Sequence, residues 1–237
     1  MNKQSFRRGL MHGVPIFLGY LAVSFSFGIF AVSSGLSIAE TVLISMTNLT
    51  SAGQLASVPI ILGGGGLLEL GISQLVINLR YALMSISLSQ RMDGTVRMLD
   101  RFVIAFANTD EVFAVSASQP EQVSREYMYG LILLPYVGWT VGTALGALAG
   151  SLLPEAVMLA LGVAIYGMFV AIVVPEMKKK GATALCVLLS VALSCLFRFV
   201  PFLHDNIPGG FVIIICAVAA SLLFAFLAPI GEKEGEA

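Results

Sequence analysis

Residues 14–33 read VPIFLGYLAVSFSFGIFAVS, a run with no charged side chain. A helix rises about 1.5 Å per residue, so this run matches the ~30 Å hydrocarbon core of a bilayer. A basic start precedes it, with Lys3, Arg7 and Arg8. A basic start before an apolar run also describes a signal peptide, whose apolar core is only about 7–15 residues long. The longer run here predicts a retained first spanning helix.

Further apolar segments follow this one, which extends over 14–34. They lie near 41–62, 67–88, 102–118, 129–151, 155–175, 182–203 and 207–229. The whole chain is 57% hydrophobic and 11% charged, with a mean hydropathy of +0.92. Soluble domains carry about 25% charged residues. A water-soluble protein of this size could not hide so much apolar surface, but lipid can solvate it. No strand-like alternation in ~10-residue segments runs through the chain, which disfavours a β-barrel. Backbone groups in lipid must bond within their own segment, so the segments are expected to be helices. The expected fold is all-α: one polytopic transmembrane transporter domain over 1–237, with six to eight spanning segments. The tail from Gly231 to Ala237 is short, charged and expected to be mobile.

The net charge of −1 gives no reason to expect nucleic acid, which needs a basic stripe. Cys186, Cys195 and Cys216 lie in apolar runs without CxxC spacing and are read as buried thiols. With only His12 and His204, metal motifs such as HExxH are absent, and no cofactor is expected. Gly63 to Gly66 form a turn that lacks the Lys and Ser/Thr of a phosphate loop.

Lys and Arg in loops set orientation. If all eight segments cross, the N-terminal cluster and Lys178, Lys179 and Lys180 are cytoplasmic, as are both termini, in a multi-pass cell-membrane protein. Arg91, Arg97 and Arg101 would then face outside. They return to the cytoplasm if 41–62 and 102–118 are both re-entrant. The two counts, eight spans or six plus two re-entrant segments, stay open on the sequence.

Those same two segments hold polar residues that lipid would exclude. Segment 41–62 contains Ser45-Met46-Thr47-Asn48-Leu49-Thr50-Ser51-Ala52-Gly53-Gln54. Gly and Ser weaken a helix, and Pro59 is expected to break it. Unwound backbone within a membrane is tolerated where it lines a cavity, and broken helices hold solutes in many transporters. Segment 67–88 carries Glu69, Ser73, Gln74, Asn78 and Arg80. Glu69 and Arg80 stand about 16 Å apart along one helix and cannot pair. An arginine at mid-membrane costs at least ~2.5 kcal/mol and should face protein or water. Segment 102–118 carries Asn108-Thr109-Asp110-Glu111. Burial penalises a charged carboxyl while a nearby Arg80 favours it, and opposed influences of that kind suit proton exchange. A structural ion pair with Arg80, or a surface segment with both acids solvated, are the other readings. Arg198 is read as snorkelling to an interface. Gly138, Gly142, Gly146 and Gly150 recur every fourth residue. Such a stripe lets a helix approach closely, whether from this chain or from a partner subunit.

Taken together, the polar islands resemble the AzlC family of branched-chain amino acid permeases. The matching residues are Gly13-Val14-Pro15, Phe25-Ser26-Phe27-Gly28, Ser51-Ala52-Gly53-Gln54, Asn78-Leu79-Arg80 and Thr109-Asp110-Glu111. The resemblance runs over nearly the whole chain, and the last two motifs are the more specific. It implies export of branched-chain amino acids such as valine, leucine or isoleucine. It also implies a small second membrane subunit of the AzlD type and coupling to the proton motive force.

A site for an amino acid zwitterion needs donors, an acceptor and an apolar wall. Asn48, Ser51 and Gln54, with Asn78, are the expected ligands of the polar head. Arg80 would meet the carboxylate or hold Asp110 charged. Asp110 or Glu111 would accept the ammonium or exchange a proton, and Phe106 and Phe113 would take the branched chain. An intramembrane aspartyl protease would need two separated membrane aspartates, and only Asp110 lies well inside an apolar run. Enzyme chemistry is therefore not expected. The rival readings are a passive channel and a scaffold whose partner carries the solute path.

Overall fold

A computed structural model describes residues 2–152 and 180–228, with 167, 170, 173–175 and 177–178 between them. The expected segment 155–175, Lys179 and the C-terminal tail fall largely or wholly outside the described residues. Among the described residues the structure is helical, with one isolated bridge between Met92 and Val123.

Helix α1 (Lys3–Ser33) starts earlier than the apolar run, because the Asn2 side chain caps the backbone N–H groups of Gln4 and Ser5. It ends where Gly35 takes a φ of 116°, a left-handed conformation that suits glycine. Ser37 and Glu40 form a capping box that opens α2 (Ile38–Thr47). At Asn48 the backbone becomes extended, and α3 (Ser51–Leu62) follows. The 41–62 segment is thus broken, but not by Pro59, which lies inside α3. The break falls eleven residues earlier, where Asn48 and Thr50 stand at the polar run. At the far end of α3, Gly64 turns the chain with a φ of 70°.

Helix α4 (Leu67–Arg91) is continuous. The 102–118 segment is broken too, into α5 (Met98–Phe106) and α6 (Asp110–Ala117). Asp100 pins the start of α5: its Oδ2 accepts the Arg97 backbone N–H at 2.8 Å, and its Oδ1 accepts the Tyr129 hydroxyl at 2.8 Å. Those donors, the Arg97 N–H foremost, hold the Asp100 carboxyl below its ordinary range. Arg91 at the end of α4 donates to the carbonyl of Ala117, at 2.9 Å, and to that of Gln119. A cation there satisfies carbonyls that the end of α6 leaves open. Helix α7 (Arg125–Leu152) runs through Pro135. The last described helices are α8 (Gly181–Phe199), α9 (Pro201–Asn206) and α10 (Gly209–Leu227).

Among the described residues, five helices are long and apolar enough to cross a membrane: α1, α4, α7 over Arg125–Gly150, α8 and α10. α2 and α3 are shorter apolar helices. The described residues fall into two compact units, with divisions inside α3 and α4.

In the first unit, which holds residues 2–58 and 77–152, α1 and α7 interlock. A Cβ on Gly138 would meet Phe17, and one on Gly142 would meet Leu21 and Ser24. Gly146 faces Phe25 and Gly150 faces Ile29. The stripe of α7 thus lies on α1 of the same chain. The buried core around this pair includes Trp139, Tyr20, Met128, Leu131, Ile104 and Val112.

In the second unit, α10 begins against the start of α4. Glu69 accepts the Gly210 N–H at 2.8 Å, and Ser73 donates to the Gly210 carbonyl at 3.3 Å. Of the three thiols only Cys216 is buried; Cys186 is half-buried and Cys195 exposed. Burial of all three was expected, but α8, which carries Cys186 and Cys195, has no buried residue.

Candidate functional site

Two helix breaks, at 48–50 and 107–109, meet polar residues of α1, α4 and α7 within the first unit. A break frees backbone carbonyls that lipid cannot satisfy. At the first break the Trp139 indole N–H donates to the Asn48 carbonyl at 3.1 Å, and the Tyr136 hydroxyl donates to that of Met46 at 3.2 Å. Thr50 donates to the Asn78 Oδ1 on α4 at 2.8 Å. At the second break Asn108 donates from its Nδ2 to the Ser85 hydroxyl at 3.1 Å, and the Thr109 side chain caps α6. α4 therefore touches both breaks, through Asn78 and through Ser85.

Between those two contacts lies the charge. Arg80 Nη2 stands 2.7 Å from Asp110 Oδ2. The guanidinium also reaches the Tyr81 hydroxyl at 3.2 Å and lies 4.9 Å from the centre of that ring. Asp110 is the first residue of α6, where a helix N-terminus favours negative charge. The pair is open on one side: 58% of the Arg80 side chain and 45% of that of Asp110 are exposed. Glu111 points elsewhere and accepts the Tyr20 hydroxyl of α1. Tyr20 in turn stacks edge-on against Trp139, with centroids 5.1 Å apart.

Of the expected site residues, Asn48, Asn78, Arg80, Asp110 and Glu111 belong to this network. Ser51 stands at the start of α3, just past the first break. Gln54 has a different neighbourhood. It is fully buried and donates to Ser45 at 2.6 Å, and Ser45 shares a hydrogen bond with Thr143 of α7 at 2.6 Å. Phe113 packs on the buried core, and Phe106 lies edge-on to Tyr136. Sequence reasoning missed Tyr20, Tyr81 and Trp139. Trp139 is the chain's only tryptophan, and an indole N–H in an apolar segment needs an acceptor.

The indole–carbonyl bond can be tested directly. Trp139→Phe leaves the Asn48 carbonyl without its donor, at a cost of about 1–3 kcal/mol. The purified variant is expected to melt several degrees below wild type. Equal melting temperatures would show that the bond is dispensable.

The family described as "AzlC protein" matches residues 15–153, more than half of the chain. The chain belongs to the AzlC family. The matched stretch takes in both helix breaks, the Arg80–Asp110 pair and the glycine stripe. An uncharacterized membrane protein of Archaeoglobus fulgidus is 35% identical to this AzlC-family chain over 76% of its length and 79% of the relative's. The inner membrane protein YgaZ of Escherichia coli is 26% identical over 94% of this chain and 91% of its own. The branched-chain amino acid transport protein AzlC of Bacillus subtilis is 27% identical over 64% of this chain and 62% of its own. No solved structure matches the chain. The protein is thus a multi-pass membrane protein of a transport family.

Proposed function

We propose that this chain exports branched-chain amino acids across the cell membrane, driven by the proton motive force, as the large subunit of a complex with a small AzlD-type membrane protein. Both termini face the cytoplasm in this reading. The observation that carries it is the Arg80–Asp110 pair, placed on α4 between its contacts with two helix breaks and open on one side.

A zwitterion arriving there presents a carboxylate to Arg80, which Asp110 already occupies at 2.7 Å. Substrate and Asp110 then compete for one guanidinium. An Asp110 carboxylate displaced from Arg80 loses the charge that keeps it ionised and takes up a proton. Competition for one group is the simplest form of coupling between two ligands. Asn78 and the Asn48 region supply polar neighbours for the head group, and Ser51 and Gln54 line the same broken segment. Glu111, held by Tyr20, is the second carboxyl able to carry a proton.

A second reading, in which the partner carries the solute path and this chain is a scaffold, draws on the exposure of the pair, since a partner helix could close that side. One experiment separates them. The chain, the small subunit, and the two together are reconstituted in separate vesicles, and leucine flux is followed under an imposed pH gradient. Flux that needs both subunits and collapses with a protonophore supports the proposal. Flux from the small subunit alone supports the scaffold.

Arg80→Lys keeps the charge but loses the planar fork and its stacking on Tyr81. Its apparent KM for leucine is expected to rise about tenfold, equivalent to ~1.4 kcal/mol of lost binding. An unchanged KM in transport assays would remove Arg80 from the head-group site.

A further inference from the structure

A groove of about 120 Å³ lies between α4 and α5. Its floor is apolar: Leu88 and Ile104 line it, and both are fully buried. Arg101 and Ala105 of α5 also line it, and both are exposed. They stand four residues apart on one helix and so share a face. Phe102 and Phe106, the residues that follow them, are 64% and 47% exposed. In a chain that spans a membrane, exposed phenylalanines suit hydrocarbon rather than water. Arg101 is the exception on that rim. Among the described residues its side chain makes no hydrogen bond or ion pair. The neighbouring carboxylate, Asp100, is buried and already bonded to the Arg97 N–H and the Tyr129 hydroxyl. Arg97, the N-cap residue of α5, is exposed as well and adds a second positive charge four residues from Arg101.

We propose that this groove binds an anionic phospholipid. Arg101 takes the phosphate, and part of one acyl chain lies over Leu88 and Ile104. A guanidinium beside hydrocarbon is costly unless an anion meets it. Its planar fork matches two oxygens of a phosphodiester. Basic pockets between membrane helices take anionic head groups for this reason. A lipid supplies both halves of what the groove offers, a negative head and a hydrocarbon chain, and the bilayer solvates the rest of it. The site does not depend on what the chain transports.

The test titrates the purified full-length chain, in neutral detergent micelles, with phosphatidylglycerol or with phosphatidylcholine of the same acyl chains. Melting temperature is the readout, since a ligand bound only by the folded state raises it. Phosphatidylglycerol should raise it saturably by several degrees, and phosphatidylcholine by much less. Arg101→Gln should raise the apparent Kd for phosphatidylglycerol about tenfold or more, the loss expected for a charge-assisted hydrogen bond. Ala105→Phe, which fills the groove, should weaken binding with the arginine intact. Arg7→Gln removes an exposed arginine of α1 and should leave the titration unchanged. Glycerol phosphate, a head group without chains, should give no shift at the same concentrations. Equal shifts with the two lipids, or a wild-type Kd in Arg101→Gln or in folded Ala105→Phe, overturn the site. An equal loss in Arg7→Gln overturns it too, because the lipid would then answer to overall positive charge. So does a full shift with glycerol phosphate, which would mark a site for soluble anions. Should Ala105→Phe fail to fold, the two lipids and the arginine variants decide.

Discussion

Asp110→Asn is expected to abolish accumulation of leucine driven by a pH gradient while leaving exchange of leucine across the membrane intact. Asparagine keeps the size of the side chain but neither titrates nor pairs ionically with Arg80, 2.7 Å away in the wild type. Both side chains of the pair are about half exposed, so the pair itself adds little to folding stability. The loss should therefore appear in coupling rather than in the amount of folded protein. Coupling free energies between two ligands are about 1–3 kcal/mol, a 5–150-fold change in the affinity for one when the other binds. Without that coupling the imposed gradient does no work, and the accumulation ratio should fall to about one. Vesicles with and without an imposed gradient measure it, with melting temperature as the folding control. Glu111→Gln is the companion variant, because glutamine still accepts the Tyr20 hydroxyl. If both variants accumulate leucine as wild type does, neither carboxyl carries the coupled proton.

The second large effect is structural. Gly146→Ala places a Cβ 2.0 Å from the Phe25 carbonyl oxygen and 2.7 Å from its carbonyl carbon. Both are backbone atoms, so no rotamer can relieve the clash and α1 must move away from α7. Overpacking of this kind costs typically ~1–3 kcal/mol, occasionally more. It falls on the helix pair that carries Tyr20 and Trp139, so the site should loosen with it. Gly71→Ala is the control: nothing lies within 4 Å of its added Cβ. Inside a helix the change from glycine to alanine is worth about 0.5–1 kcal/mol in stability. Gly146→Ala should melt well below wild type and Gly71→Ala at or above it. A Gly146 variant as stable as wild type would mean that α1 and α7 tolerate a wider spacing.

The helix breaks were legible because polar side chains in apolar segments oppose both lipid and helix, and Asn48 and Asn108 mark both places. The chemistry of Pro59 misled. A proline removes one donor, but α3 runs through it, and the backbone opens instead where asparagine and threonine side chains bond outside their own turn. Gln54 reads like a solute ligand in one dimension. A segment apolar nearly all round has no clear face, so nothing local shows that Gln54 turns toward Ser45 and Thr143. Tyr20 and Trp139 were hidden for the same reason: an aromatic residue in an apolar run looks alike whether it meets lipid, core or a carbonyl. Their roles depend on contacts across more than ninety residues of chain.

Arg91 gives α6 a second attachment. That short helix is held to α4 at its first residue by Arg80 and at its last by Arg91, which grips the carbonyl of Ala117 and that of Gln119 just beyond. Even without Arg80, the leading end of α6 would stay tied to α1 through Glu111 and Tyr20, and the break before it to α4 through Asn108 and Ser85. Breaking the ion pair therefore frees one carboxylate and one guanidinium without freeing the helix that carries the carboxylate.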